Sequence, residues 1–217
     1  MSPRRKYMDA CKFPRMPPRY AVRRLILLVG EGKKTEPNYF QALERDRGAS
    51  SGFHLEIKAA EGSSPKHCIN TALQEIGSAR RRHQEYDEVW CVFDVESAPN
   101  AASLAKALAT ARKNGIKTCL SNPSFEVWLI AHFERTSKSF IDAKAAQHHL
   151  SVHWVKACAQ PYDKADARVY EGVRALTETA INNAREVHLK DHRGGNVEAC
   201  NSSTEVYRLV AMLLTKT

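Results

Sequence analysis

The chain has 217 residues, of which 43% are hydrophobic and 26% charged, so it can bury one full core at the upper end of single-domain sizes. No apolar run approaches the roughly 18 residues that span a bilayer, and the N-terminus lacks the apolar segment of a signal peptide. This composition excludes a membrane protein, and we expect a cytoplasmic one.

The formal net charge of +9 is concentrated at the N-terminus. Residues 1–24 hold eight Lys or Arg residues against Asp9, whereas residues 25–217 carry a net charge of only +2. Such an arm can neutralise nucleic-acid phosphates, although a solubilising tail has the same composition. We predict a flexible basic arm over residues 1–22 and one α/β domain over residues 23–217. The basic residues predicted to contact nucleic acid here are Arg4, Arg5, Arg23 and Arg24.

The first predicted element is a strand at residues 25–29, a continuous apolar run typical of a strand buried on both faces. Glycines 30 and 32 end it. Thr35 precedes Glu36 and Pro37, which predicts that Thr35 is the N-cap of a helix with proline in its first turn.

Three further strands follow, at residues 53–59, 89–93 and 116–121. A helix is predicted to begin at Ser64-Pro65 and to end near Arg82. A second, alanine-rich helix is predicted to end at Gly115. Strands that alternate with helices at this spacing predict a parallel sheet covered by helices on its faces. The fold class is therefore α/β, in a Rossmann-like arrangement.

From Phe125 onward the pattern predicts helices, which would form a helical C-terminal half. They are expected at residues 125–133, 142–157 and 165–187, with a last helix that begins at Ser202. Ser202 and Glu205 have the spacing of a capping box, and the apolar stripe that follows contains Val206, Leu209, Val210 and Leu213.

Acidic residues follow three of the predicted strands. Glu31 follows the first, Asp94 and Glu96 follow the third, and Glu126 lies just after the fourth. Ligands bind at the carboxyl ends of parallel strands, and carboxylate oxygens suit a hard cation such as Mg²⁺. The alternative is that these acids only cap helices and face solvent.

Two strings resemble signatures of RloB-type proteins: residues 26–40, which include Gly30-Glu31-Gly32-Lys33-Lys34-Thr35-Glu36-Pro37, and residues 122–129, followed by His132-Phe133. Weaker similarities lie at residues 162–164, 180–184 and 201–206. The resemblance covers roughly residues 25–214.

This family is similar to TOPRIM domains, in which a Glu after the first strand and an Asp-x-Asp after the third bind metal. The resemblance implies Glu31 and Asp94 as ligands of Mg²⁺ or Mn²⁺, with Glu96 where Asp is usual. It also implies a nuclease in defence against phage, beside an ATPase partner.

Lys33 and Lys34 stand where a turn meets a predicted helix N-terminus, a position that favours phosphate. We assign Lys33 to nucleic-acid binding and Lys34, with Glu31 and Glu126, to catalysis. A solvated lysine pair is the alternative. Four aromatic residues near these motifs are predicted to be core: Trp90, Phe93, Phe125 and Trp128.

Two histidine pairs, His149 with His153 and His188 with His192, are spaced i,i+4 and could ligate zinc on a helix. Neither pair has the Glu of an H-E-x-x-H motif, so we interpret them as surface histidines.

Two other function classes compete with a metal-dependent nuclease of RNA or DNA. One is a noncatalytic nucleic-acid- or nucleotide-binding subunit, since Glu96 departs from the usual Asp. The other, nucleotidyl transfer or strand passage, is disfavoured because the chain lacks room for the extra domains. The sequence leaves the oligomeric state open.

Overall fold

The structure, a computed structural model, describes residues 23–48 and 52–215. Its centre is a five-stranded sheet with the order β2-β1-β3-β4-β5, in which the first four strands are parallel and β5 runs antiparallel to β4. The predicted α/β class with a mostly parallel sheet is confirmed. The strands are β1 (Arg24–Gly30), β2 (Phe53–Ala59), β3 (Glu88–Asp94), β4 (Lys117–Asn122) and β5 (Ser203–Thr204).

Helices cover both faces of this sheet. Asn100 and Asp142 cap two of them, because each side chain accepts a hydrogen bond from the backbone N–H three residues later, at 2.9 and 2.8 Å. The α-helices are α1 (Thr35–Arg47), α2 (Pro65–Arg81), α3 (Ala101–Lys113), α4 (Glu126–Ala131), α5 (Ala143–Cys158), α6 (Val169–Val173), α7 (Thr177–Glu186) and α8 (Val206–Leu214).

The core forms two layers, one on each face of the sheet. In β1, Ile26 and Leu28 pack with α1 and the C-terminal helices, whereas Leu27 and Val29 pack with α2 and α3. Successive side chains of a strand point to opposite faces, so a strand buried on both sides must be continuously apolar. The prediction that residues 25–29 form a strand buried on both faces is therefore confirmed.

The strand register places the ends of β1 and β3 side by side. Gly30 pairs with Val92, and Asp94 pairs with Ser121 of β4. The predicted strands at residues 25–29, 89–93 and 116–121 are thus parallel neighbours, and the polar residues that follow them emerge at one edge.

Two predicted helix starts are wrong. Thr35 is the first residue of α1 rather than its N-cap, and its hydroxyl donates to the carbonyl of Lys164 at 2.9 Å. Ser202 does not form a capping box: Ser203 and Thr204 form β5 instead, and α8 begins at Val206. In both cases a long-range contact replaces the predicted helix cap. The Thr35 hydroxyl bonds to Lys164, and the backbone after Ser202 pairs with β4.

The predicted helix at residues 165–187 is in fact two helices, α6 and α7, joined by a 3-10 turn at Arg174–Leu176. The other boundaries agree closely, and Gly115, with φ of +69°, ends α3 as predicted. The four aromatic residues assigned to the core, Trp90, Phe93, Phe125 and Trp128, are all buried.

Within the described residues, the helices are too short or too polar to cross a membrane. The predicted basic arm, with Arg4 and Arg5, lies outside the described part of the chain. Its boundary at residue 22 stays a prediction.

Candidate functional site

An open cleft of about 550 Å³ lies at the carboxyl edge of the sheet. The ends of parallel strands and the first turns of the following helices converge there, which makes this edge the usual ligand site of such folds. Its lining is Gly32, Lys33, Lys34, Thr35, Glu36, Asp94, Glu96, Phe125, Glu126, Ala143, Lys144, Gln147 and Lys164.

Glu31 and Asp94 meet at this edge because β1 and β3 are neighbours. The backbone N–H of Asp94 donates to Oε2 of Glu31 at 3.2 Å, and the N–H of Glu31 donates to the carbonyl of Val92 at 3.0 Å. The register of two adjacent strands thus explains why these two residues lie next to each other.

Asp94 is the centre of a group of carboxylates. Burial raises the pKa of its carboxyl well above the ordinary value, and negative charge nearby raises it further. The contributing acids are Glu36, Glu31, Glu126 and Glu96. Such a group is stable only when a proton or a cation relieves the repulsion.

Glu36, in the first turn of α1, is buried in the same group, with 5% of its surface exposed. Burial raises the pKa of its carboxyl to about 7, helped by Glu126 and Glu31 and opposed by hydrogen bonds from the N–H groups of Glu36 and Gly32. A Cβ at position 32 would overlap the Glu36 carboxylate, so glycine permits this close approach.

Glu36 is a cleft residue that was not among the predicted site residues. In the sequence it marks a helix start, whereas in the structure the bend at Gly32 brings its side chain close to Glu31. One feature of the sequence could have identified Glu36 as a cleft residue: it lies five residues after Glu31 in the same glycine-containing string.

Glu126 and Glu96 complete the acidic part of the cleft in different ways. Glu126 is buried, and its two oxygens accept hydrogen bonds from the hydroxyls of Ser124 at 2.7 Å and Tyr162 at 3.5 Å. Glu96 is exposed, and its Oε2 accepts a hydrogen bond from the N–H of Ala143, the first residue of α5, at 2.8 Å. Glu96 therefore connects the end of β3 to α5.

Exposed lysines surround the acids. Lys33 and Lys34 lie in the turn before α1, and Lys144 and Lys164 approach from other parts of the chain. The loop that carries Lys164 is held to α1 by the Thr35 hydroxyl and by the amide of Asn38, which donates to the carbonyl of Ala165 at 3.4 Å. A negatively charged backbone would meet positive charge at this rim before it meets the carboxylates.

The donor set fits a hard divalent cation. Carboxylate oxygens are the ligands that Mg²⁺ and Mn²⁺ prefer. Burial is the largest cause of the raised pKa values of Asp94 and Glu36, and neighbouring carboxylates, whose charge a bound cation would offset, raise these values further. Glu31 and Asp94 stay the predicted ligands, and Glu36 is an additional candidate beside them. Among the described residues, the cleft carboxylates do not form a group of three whose ligand atoms all lie within 4.8 Å of one another, so they would have to move closer together to bind one ion. Glu96, the remaining predicted ligand, has its Oε2 in a hydrogen bond with the N–H of Ala143, and its role as a metal ligand stays a prediction.

Arg23 and Arg24 lie away from this cleft. Arg24 begins β1, at the opposite edge of the sheet, where its Nη1 is 3.3 Å from Oε1 of Glu88. A nucleic acid seated on the carboxylates would have to continue around the molecule to reach these arginines.

A protein-family comparison matches residues 26–213 to a family described as RloB-like protein. The match covers almost all of the described chain and both sequence strings that border the cleft. No curated protein and no solved structure matches the chain.

Proposed function

The chain belongs to the RloB-like protein family, and from this premise we propose that it is a metal-dependent nuclease that hydrolyses phosphodiester bonds of RNA or DNA. One observation carries the proposal: four carboxylates line one cleft with four lysines, and a fifth carboxylate, that of Glu31, accepts a hydrogen bond from the backbone of one of them, Asp94. The carboxylates suit a divalent cation and the lysines suit a phosphate backbone.

A bound Mg²⁺ or Mn²⁺ would polarise the phosphodiester and help to activate water. Glu31, Asp94 and Glu36 would hold the ion. The Ser124 and Tyr162 hydroxyls donate to the two oxygens of Glu126 and would orient this carboxylate to accept a proton from the attacking water.

Lys34 and Lys33 border the cleft at the start of α1. We propose that Lys34 stabilises the negative charge that develops on the phosphate during cleavage. Lys33 would bind the nucleic-acid strand beside that phosphate. Lys144 and Lys164 extend this positive rim toward the opposite side of the cleft.

Purified protein incubated with labelled RNA and DNA pools in Mg²⁺, Mn²⁺ or EDTA tests the proposal. We expect cleavage with metal and none with EDTA. Asp94→Asn and Glu31→Gln should abolish it, and Lys34→Ala should lower it about 100-fold. These variants, purified identically, also exclude a contaminating nuclease.

Matched controls lie at the far edge of the sheet. Glu85→Gln and Lys113→Ala each remove one exposed charge and should cut like the parent. If Asp94→Asn and Glu31→Gln also cut like the parent, the cleft is not the catalytic site.

A second candidate is a noncatalytic nucleic-acid-binding subunit, favoured by the hydrogen bond that commits one oxygen of Glu96 to the start of α5. This candidate predicts binding that survives EDTA and no cleavage with either metal. In that case Glu96→Asp, which restores the usual Asp-x-Asp motif at residues 94–96, should produce cleavage.

Family membership alone supports the remaining part of the proposal, a role in defence against phage beside an ATPase partner. Co-expression of a genomically adjacent ATPase, followed by co-purification and an infection assay with Asp94→Asn as the control, would test it.

A further inference from the structure

Two histidines and a glutamate form a compact cluster outside the cleft. His149 and His153 lie one turn apart on α5, and Glu134 follows the end of α4. One potential ligand atom from each residue lies within 4.8 Å of the other two.

The glutamate contacts both rings. His149 Nε2 lies 2.6 Å from Oε1 of Glu134, and His153 Nε2 lies 3.4 Å from Oε2. Between 22% and 31% of each side chain is exposed, so the cluster is partly shielded yet reachable from solvent.

Aromatic rings hold the two imidazoles in place. Phe133 stacks on His153 with a centroid distance of 6.1 Å, and Phe140 lies 5.2 Å from His149. The ligand atoms are therefore positioned by packing before any ion arrives, which lowers the entropic cost of binding.

We propose that Glu134, His149 and His153 form a binding site for a divalent transition metal ion, Zn²⁺ in particular. Two imidazole nitrogens and a carboxylate oxygen are the ligands of many three-residue zinc sites, which keep a fourth position open to water. Metal–ligand distances of about 2.0–2.2 Å imply ligand atoms about 3.4 Å apart, the spacing already present between Glu134 and His153. The His149 contact has to lengthen slightly.

The site selects against the cation expected in the cleft. Mg²⁺ prefers oxygen ligands, whereas imidazole suits zinc and its neighbours in the first transition row. The chain would then separate two kinds of metal ion by ligand chemistry.

The ion would join two helices that both supply cleft residues. α4 begins at Glu126, and α5 begins at Ala143, beside Lys144 and Gln147. A metal bound between the end of α4 and the middle of α5 would fix the two helices relative to each other.

The other histidine pair has different partners. His188 Nε2 lies 3.1 Å from an Arg208 guanidinium nitrogen, and His192 Nε2 lies 3.1 Å from the carbonyl of Ser202. A cation beside the guanidinium would be repelled, so equal sequence spacing gives one metal-binding pair and one structural pair.

Zinc titration by calorimetry, on tag-free protein with excess Mg²⁺ to fill the cleft, tests the proposal. We expect one equivalent to bind. Loss of an outer-shell partner alone lowers metal affinity about 10-fold to 100-fold, so His149→Gln, His153→Gln and Glu134→Gln should each lower it more than about tenfold. His148→Gln, which changes an exposed histidine of the same helix, should bind like the parent.

Asp94→Asn should retain the zinc equivalent, which separates this proposal from the nuclease proposal. X-ray absorption of the zinc-loaded parent needs no variant and should detect two imidazole ligands. An oxygen-only shell, the absence of binding, or equal affinities for His149→Gln and His148→Gln would overturn the assignment.

Discussion

At the residue scale, the acidic cleft combines side chains that repel one another. Asp94 is only partly buried as a residue, but desolvation of its carboxyl group, together with the carboxylates that face it, raises its pKa. An arrangement that is unfavourable for stability alone is typical of a functional site.

Asp94→Asn should separate metal binding from folding. A ligand that binds only the folded state adds RT ln(1 + [L]/Kd), so Mg²⁺ at about 100 times its Kd should stabilise the parent by about 2.7 kcal/mol. The variant should lose most of that gain. Without metal its melting temperature should equal or exceed that of the parent, because the amide, unlike the carboxyl group, cannot take the charge that burial and the neighbouring carboxylates disfavour.

Thermal denaturation with and without Mg²⁺ measures both effects, with Glu85→Gln as the charge-matched control. A severe loss of metal-free stability in Asp94→Asn would instead make Asp94 a structural cap.

His132 follows the second family-like string, residues 122–129, yet its environment is structural. It is 1% exposed, its Nδ1 lies 3.0 Å from the carbonyl of Trp128, and its ring packs against Trp128 and Tyr39. Burial lowers its pKa to about 4. The neutral ring is therefore part of the core rather than a catalytic base.

This lowered pKa predicts acid sensitivity. The unfolded state binds the proton more tightly than the folded state, so stability contributed by neutral His132 is present above pH 6.5 and is lost as the pH falls toward 4. A difference of about 2.5 pKa units corresponds to about 3 kcal/mol. Urea unfolding between pH 4 and 7 should show this loss in the parent and a flatter profile in His132→Phe.

Glu36 titrates over the same range with the opposite sign, because its pKa is raised and the folded state binds the extra proton. The difference between parent and variant therefore isolates His132. His148→Gln is the control, and an equal slope in His132→Phe and the parent would contradict the assignment.

At the scale of elements, α1 is tied to a distant loop through its first residues. The Thr35 hydroxyl, which the sequence assigned to a helix cap, instead binds the carbonyl of Lys164. This contact explains how Lys164 reaches the cleft from more than a hundred residues away.

Thr35→Val, which preserves shape and removes the hydroxyl, should destabilise the fold by about 1 kcal/mol. It should also weaken nucleic-acid binding, because the Lys164 loop loses an anchor. Chemical denaturation and a binding titration measure the two effects. Thr110→Val is the control, since the Thr110 hydroxyl donates within its own helix, to the carbonyl of Lys106. Unchanged binding in Thr35→Val would show that Lys164 is not part of the interface.

At the scale of the whole molecule, charge is divided between two regions. The described cleft has lysines around carboxylates, whereas most of the net positive charge lies in residues 1–24. Arg23 and Arg24 join the arm to the edge of the sheet opposite the cleft.

Deletion of residues 1–22 removes six Lys or Arg residues. We expect the fold to persist and nucleic-acid affinity to fall, with a flatter dependence of log K on log salt, because fewer counterions are released. Binding titrations over a salt series measure the slope, and a full-length variant with these six residues changed to Gln is the control for chain length. An unchanged slope would make the arm a tail without a binding role.

The sequence by itself determined the order of the four parallel strands and the acidic residues that follow them, whereas β5 and the division between α6 and α7 were missed. Apolar runs and glycine breaks located the four parallel strands, and Glu31, Asp94, Glu96 and Glu126 follow three of them. Parallel strands place such residues at a common edge, so local pattern was sufficient for this part of the cleft.

Only the tertiary structure decided which additional side chains join that edge. Glu36, Lys144 and Lys164 enter the cleft through a glycine bend, a helix contact and a loop anchor, and none of these is encoded by local periodicity. Glu134 likewise meets the histidine pair across a helix junction. The physical reason is common to all of them: helix starts and side-chain partners depend on long-range hydrogen bonds and packing, which compete with the local signals that a sequence displays.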